Sequence, residues 1–471
     1  MLMNDEQQRK TALDPSRSFI VQAPAGSGKT EILTQRFLNL LAHANKNPEE
    51  IIAITFTKKA ASEMKMRIMN ALLFAKENPK PAESFAATTW ELAHRALKKD
   101  SELHWQLLKN PARLRVQTID SLCASLIQQM PILSRLGAQL TISEYPEALY
   151  QKAVREVLKT IDESTPWQPS LHHLLSHCDN QVTSVEELLM AMLAQRDQWL
   201  PYVTQAHNQT ELRERLEMGL RTISEDQLEK IIAHFPWEVS QELITLANFA
   251  ASQLKQQEKK SIITDCLAMA ILPDQQIESK KQWLALAELL LTKEGTVRKQ
   301  VTKTTGFPAD SSTKNREEKI LYKNMKERIL TLLTSLQESF IRHLHDLRIT
   351  PPLCYTDHQW QTLQSLLTLL PITAAHLTLV FSEMNEVDFI EVTQAALQAL
   401  GTFDNPTDLA LALDYQIQHL LIDEFQDTSI SQFRLLELLT AGWIKEDGRT
   451  LFIVGDPMQS IYRFRQAEVG L

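Results

Sequence analysis

Four short apolar runs stand out along the chain: "SFIVQAP" from residue 18, "EEIIAITFT" from 49, "QHLLIDE" from 418 and "TLFIVGD" from 450. Continuous apolar runs of this length, without alternation, read as strands covered on both faces, the kind found in parallel sheets. The first two lead into segments with helical spacing. From about 142 to 385 the pattern changes to long Leu/Ala/Glu/Gln stretches of helical period with few strand candidates. An α/β pattern that stops, runs helical and then resumes predicts one α/β domain, residues 1–141 and 386–471, with an all-helical domain inserted as residues 142–385. No fixed-period repeat or low-complexity tract interrupts this pattern.

Composition refines the picture only slightly. At 53.8 kDa the chain has room for two or three cores. Only 11 glycines in 471 residues favour helix over loop. A net charge of -9 removes any general argument for nucleic-acid binding, so that argument must rest on local sites. The four cysteines, Cys123, Cys178, Cys266 and Cys354, lie far apart and suit reduced thiols. The first residues are polar from the fourth onward, which is unlike a secretory signal. The longest apolar stretch, "LLTLLPITAAHLTLVF", reads as too short to span a bilayer and carries Pro371 and His376. The expectation is a soluble, cytoplasmic protein with no membrane partner.

The chemistry begins at "APAGSGKT", residues 23–30, between a strand and a helical segment. That context is the one a phosphate-binding loop requires. Gly26 and Gly28 allow a tight turn whose N–H groups point inward at a helix N-terminus, and Ala25 and Ser27 complete the loop. Lys29 would reach the β- and γ-phosphates of a nucleotide, and the Thr30 hydroxyl would bind Mg²⁺. Ala23 stands where the bare pattern has glycine. In "HLLIDEFQDTS" a buried strand delivers Asp423 and Glu424 to its carboxyl end, where open α/β sheets bind ligands. Asp423 can hold the same Mg²⁺, and Glu424 can polarise an attacking water as general base.

With these residues in place, "DEFQD", the later "GDPMQSIYRFRQAE" and the earlier "ITFTKKAASEMKMRI" closely resemble motifs of the UvrD/Rep/RecB group of superfamily 1 DNA helicases. The resemblance implies a P-loop, RecA-like motor domain with ATP and Mg²⁺ as cofactors, single-stranded or duplex DNA as partner, and 3′-to-5′ polarity. "NDEQQ" looks like the group's adenine-reading motif, placing Gln7 on the base. "ITFTKKAASEM" supplies Thr55, Phe56, Thr57, Ala60 and Ala61, which in the family line the single-strand track. "QTIDSLCASLI" brings Thr118 and Asp120 near DNA. Gln459 is placed to report the γ-phosphate, and Tyr462, Phe464 and Arg465 to grip bases by stacking, which tolerates any sequence. Gln466 departs from the glycine usual in the family.

Within the group the chain looks most like the RecB-like helicase–nucleases. The insert of about 240 residues is large, and "DFIEVTQAALQAL" and "TKEGTVRK…TTGFP" resemble exonuclease V β-subunit-like proteins. Such proteins work with a second large subunit in double-strand-break repair and recombination. They also carry a second RecA-like domain and a nuclease, to which nothing in this sequence corresponds. The expectation is therefore a truncated piece or an interrupted gene, weak in turnover and unwinding, since arginine fingers supplied from elsewhere are worth about 10³–10⁵ in rate. The alternative is a non-catalytic DNA- or partner-binding scaffold with ATP as a structural ligand. "DEFQD" and "QSIYRFR" argue against a transporter-type ATPase.

Two other features read as surface. "KEGTVRKQVTKTTGFPADSSTKNREEKILYKNMKER" holds ten Lys/Arg against five acids, reading first as a solvated loop and helix and second as a phosphate contact. His172, His173, His177 and Cys178 form a polar helix face rather than a metal site, and two-residue spacing separates His343 from His345.

Overall fold

The structure is a computed structural model that describes residues 2–24, 26–130, 141–205 and 209–459. The chain divides into two compact units, residues 1–205 with 365–471, and residues 206–364. Helix predominates, and the described strands are β1 (Phe19–Gln22), β2 (Ile51–Thr55), β3 (Arg115–Thr118), β4 (Thr141–Ile142), β5 (Glu386–Val387), β6 (His419–Ile422) and β7 (Thr450–Gly455).

Five of these strands form one sheet in the order β1-β7-β6-β2-β3, with every pairing parallel. All four apolar runs are strands of this sheet. The fifth, β3, has the sequence "RVQT" and is buried only at alternate residues, so no apolar run announces it. Alternate residues of the central strands feed two cores. Ala53, Leu421 and Val454 face Leu33 and Phe37 of helix Lys29–His43 and Ile68 and Leu72 of helix Lys58–Glu77. Ile52, Ile54, Leu420 and Ile422 face Leu122 of helix Ile119–Gln129, Ala396 of helix Phe389–Leu400 and Leu435 of helix Ile430–Leu439. Cover on both faces explains the apolar runs of the central strands, whereas β1, at the sheet edge, leaves Ile20 and Gln22 exposed, so its run is apolar without being covered on both faces.

Packing divides the chain at other points than the change of pattern does. Helices Glu147–Lys159, Gln168–His177 and Val182–Leu193 contribute Val154, Leu171 and Leu189 to the second of those sheet cores, so they belong to the α/β unit. Positions 142 and 385 mark instead where the chain leaves and returns side by side, with Thr141 paired to Glu386 and Ile142 to Val387. Helical spacing shows that a segment is a helix with an apolar stripe; it does not show which core receives the stripe.

A buried ionic cluster ties those helices down. Arg196, 4% exposed, donates to Asp388 Oδ2 at 2.6 Å and Oδ1 at 2.7 Å, and to Glu391 Oε2 at 3.0 Å. The Tyr150 hydroxyl donates to the same Asp388 at 2.5 Å, and Asp388 caps helix Phe389–Leu400 through the Glu391 N–H. Burial disfavours the Asp388 carboxylate, but Arg196 outweighs it and holds the group below the usual range.

The apolar stretch around Pro371 is longer than its sequence suggests. It lies within helix Asp357–Met384, 28 residues long, in which an 18-residue window reaches a mean hydropathy of 1.6; by length and composition this helix is long and apolar enough to cross a bilayer. The expectation that it was too short is thus corrected, because the helix continues through Pro371 and through polar residues at its start. Leu369, Leu370, Leu377 and Phe381 of this helix are buried in the sheet-side core.

The 206–364 unit is built around Trp283, Phe235 and Phe340, whose rings meet edge to face. Its basic segment is anchored by Val301, Thr305 and Phe307, all buried. Gly306, at φ +84°, passes so close to helix Ser240–Gln256 that a Cβ would lie 2.4 Å from the Ala250 carbonyl oxygen.

Candidate nucleotide site

Three strand ends meet at the site. β1, β7 and β6 are neighbours in the sheet, and their carboxyl ends lead into the glycine-rich turn, the "GDPMQ" turn and the "DEFQD" turn. Ala23 N–H donates to the Gly455 carbonyl at 3.3 Å, carrying the β1–β7 ladder into the first loop. Gly26 (φ +74°) and Gly28 (φ +84°) both take the left-handed conformation that favours glycine. Gly28 is the N-cap of helix Lys29–His43, so the Gly28 carbonyl accepts from the Glu31 and Ile32 N–H groups while the chain reverses. Ala25 lies outside the described residues.

Lys29 is 9% exposed, and its ammonium reaches across the strand ends. It stands 3.4 Å from Gln459 Oε1 and 4.0 Å from Glu424 Oε2. Thr30, half-buried, opens the helix beside it. The buried Ser27 hydroxyl has no hydrogen-bond partner among the described residues.

The acid pair sits at the end of β6. Asp423 N–H donates to the Ile54 carbonyl at 2.9 Å, holding this turn to β2. Asp423 is 8% exposed, and among the described residues no cation lies within ion-pair distance of it. Burial first, and the neighbouring Glu424 charge second, push its carboxyl up to about 6, against the opposing pull of the Glu424 N–H and Lys29. Glu424 takes a left-handed φ of +52° and caps the short turn Phe425–Asp427.

Sequence reasoning missed three residues here. Gln426, 6% exposed, donates from Nε2 to Glu424 Oε2 at 2.7 Å and accepts the Asp456 N–H on Oε1 at 2.9 Å. Asp456, 7% exposed, takes a bond from the Gln459 side chain, three residues ahead of it in the same turn. Arg9 donates to the Ser27 carbonyl and lies against Gly28. The spacing of Asp456 and Gln459 within "GDPMQ" is the one signal that could have been read.

Gln7 is exposed and stands at a cavity of about 420 Å³. Phe19, Val21, Ser27, Gly28 and Lys29 also line it.

The remaining expected residues fall in two groups. Thr55, 1% exposed, donates to the Thr57 carbonyl; Thr57 and Thr118 cap helices Lys58–Glu77 and Ile119–Gln129 through the Ala60 and Ser121 N–H groups. Ala61 is buried and Ala60 half-buried. Phe56 and Asp120 line a separate cavity of about 240 Å³ with Ser429, Ser431 and Gln432. Tyr462, Phe464, Arg465 and Gln466 lie outside the described residues. Among the described residues no group of three or more His, Cys, Asp or Glu is placed to hold a metal ion.

A cation, a hydroxyl, a close pair of carboxylates and an amide around the carboxyl ends of a parallel sheet form the kind of site that α/β proteins use for phosphorylated ligands. The chain belongs to the UvrD/REP helicase N-terminal domain family, whose pattern matches residues 3–230 and 208–471. It is 24% identical over 501 residues to an ATP-dependent helicase/nuclease subunit from Oceanobacillus iheyensis, covering 100% of this chain and 36% of that protein. The protein of the same name from Lysinibacillus sphaericus is 25% identical over 492 residues, covering 99% and 36%. That from Desulfitobacterium hafniense is 26% identical over 500 residues, covering 98% and 32%. The chain thus spans about a third of the length of these relatives.

Proposed function

We propose that this chain is the ATP-binding N-terminal part of a RecB-like, ATP-dependent DNA helicase acting in double-strand-break repair and recombination in the cytoplasm. The observation that carries the reading is the convergence of Lys29, Glu424 and Gln459, which come from three separate strand ends onto one ammonium. Its relatives are named as subunits of helicase/nucleases, which supports a DNA substrate and, for partner, a second large subunit. In this reading residues 1–141 and 386–471 carry the RecA-like, P-loop motor fold, the helices of 147–205 and 365–384 pack with it as one unit, and residues 206–364 are the separate compact part of the insertion.

Each site residue then has a role. N–H groups of the loop 25–30 cradle the phosphates, and Lys29 neutralises charge on the β- and γ-phosphates. Gln7 presents an amide donor and acceptor to the adenine edge from the wall of the 420 Å³ cavity, a volume suited to a nucleotide base and sugar. Thr30 and Asp423 suit Mg²⁺ in chemistry: both offer oxygen, and Asp423 is a buried carboxylate whose charge is disfavoured until a cation joins it. Mg²⁺ bound there would neutralise charge on the phosphate oxygens. Glu424 orients and polarises the attacking water, and Gln459 registers the γ-phosphate. Phe56 and Asp120 line a groove for single-stranded DNA, and Thr55, Thr57 and Thr118 belong to the same track, Thr57 and Thr118 also capping the helices that follow them. Tyr462, Phe464 and Arg465 carry the base-stacking role that the family resemblance gives them, and translocation runs 3′ to 5′.

The test is ATP hydrolysis with and without single-stranded DNA, using Glu424→Gln as the blank. The reading expects turnover that Glu424→Gln lowers by about 10²-fold or more while nucleotide still binds. Equal turnover in parent and variant would overturn it.

A further inference from the structure

The side chains around Lys29 close into a ring. Lys29 meets Gln459, Gln459 meets Asp456, the Asp456 N–H meets Gln426, Gln426 meets Glu424, and Glu424 returns to Lys29. We propose that Gln426 is a positioning residue that couples the water-polarising Glu424 to the phosphate-reporting Gln459, so that the two turns respond to nucleotide as one body. This inference rests on the function proposed above.

The Gln426 amide bonds in two directions at once. Its Nε2 faces a carboxylate, which only accepts, and its Oε1 faces a backbone N–H, which only donates; one orientation satisfies both. With the side chain 6% exposed, water is a poor substitute for either partner. Gly455 keeps the place open, because a Cβ there would stand 2.8 Å from Gln426 Oε1. Bond lengths then show where the ring yields. The two Gln426 bonds are 2.7 and 2.9 Å, whereas Lys29 stands 3.4 and 4.0 Å from its neighbours. A phosphate oxygen offers Lys29 a charge-assisted bond stronger than either of those long contacts. Nucleotide entry thus opens the ring at Lys29 and leaves the Glu424–Gln426–Asp456–Gln459 arm joined.

The coupling is measurable as non-additivity. Dissociation constants for a fluorescent Mg·ATP analogue would be determined for the 471-residue chain, Gln426→Leu, Gln459→Ala and the double variant. The expected result is a double-variant change that departs from the product of the single changes by about threefold or more. In Gln426→Glu, which keeps an acceptor for the Asp456 N–H but sets a second carboxylate against Glu424 in place of a donor, the coupling to Gln459 should stay lost. Fold changes that multiply within about 1.5-fold, or a Gln426→Glu variant that keeps the parent's coupling to Gln459, would overturn the inference. If Gln426→Leu does not fold, Gly455→Ala, which displaces the amide through its Cβ, takes its place in the same cycle. A parent chain with no saturable binding, or binding indifferent to Lys29→Ala, would overturn the proposed function itself, and this inference with it.

Discussion

At the scale of single residues, the most informative is Asp423, where stability and function pull apart. In the folded chain it holds its proton up to about pH 6, against an ordinary value of 3.8. The folded state therefore binds more protons than the unfolded one between those values, and stability falls as pH rises through that window. A shift of about two units is on the order of 3 kcal/mol. Asp423→Asn should recover a stabilisation of that order at pH 7 and flatten the slope between about pH 4 and 6, read by chemical denaturation. The same residue makes Mg²⁺ affinity pH-dependent, since the metal needs the deprotonated carboxylate. Affinity measured by calorimetry should fall about tenfold per pH unit below about 6, and this dependence should vanish in Asp423→Asn. Lys29, Asp423, Glu424 and Gln459 were legible from "AGSGKT", "DEFQD" and "GDPMQ" because each sits at a fixed offset from a strand end. Gln426 and Asp456 were not, because their value lies in a bond between two turns that sequence separates by 30 residues. Arg36 is a similar case: 0% exposed, it donates to the Ala12 and Arg17 carbonyls between the Phe19 and Phe452 rings, and nothing in a helical "LTQRFL" marks it as a core residue.

At the scale of elements, the strands were easier to read than their surroundings. Runs such as "IIAIT" are apolar at nearly every position because both faces are covered, and that leaves an unbroken trace in sequence. β3 left none, since Arg115 and Gln117 alternate with its two buried residues. Helices were recognisable throughout, but their assignment to one core or the other was not, which is why packing divides the chain at 205 and 365. The Arg196–Asp388 pair, 192 residues apart, is the device that fixes the 147–205 helices to the sheet side. Removing one partner of a buried pair strands the other charge, so Arg196→Ala should cost about 3–5 kcal/mol. Tyr150→Phe, which removes one bond to a charged group, should cost about 1.5–3 kcal/mol. Guanidinium titrations followed by circular dichroism would rank the two. In the other unit, Gly306→Ala would combine a left-handed alanine with a backbone clash, each worth about 1–3 kcal/mol. Hydrogen exchange across 240–256 and 301–307 should rise in that variant.

At the scale of the whole molecule, the chain belongs to the UvrD/REP helicase N-terminal domain family and is acidic overall. A net charge of -9 argues against adhesion to DNA by bulk electrostatics, so any DNA binding has to come from local contacts, with a shallow salt dependence set by few phosphate contacts. The basic segment of the 206–364 unit is only partly free to contribute: Arg298 and Arg328 are engaged with Glu288 and Glu242, while Lys293, Lys299, Lys303 and Lys314 reach the surface. In the proposed function, three strand ends build one nucleotide site around Lys29. The direct measurement is the affinity of the 471-residue chain for Mg·ATP by calorimetry, alongside Lys29→Ala and Glu424→Gln. Saturable one-to-one binding is expected, weakened about 30-fold or more in Lys29→Ala and kept in Glu424→Gln. Binding that survives in Lys29→Ala, or that never saturates in the parent, would contradict it.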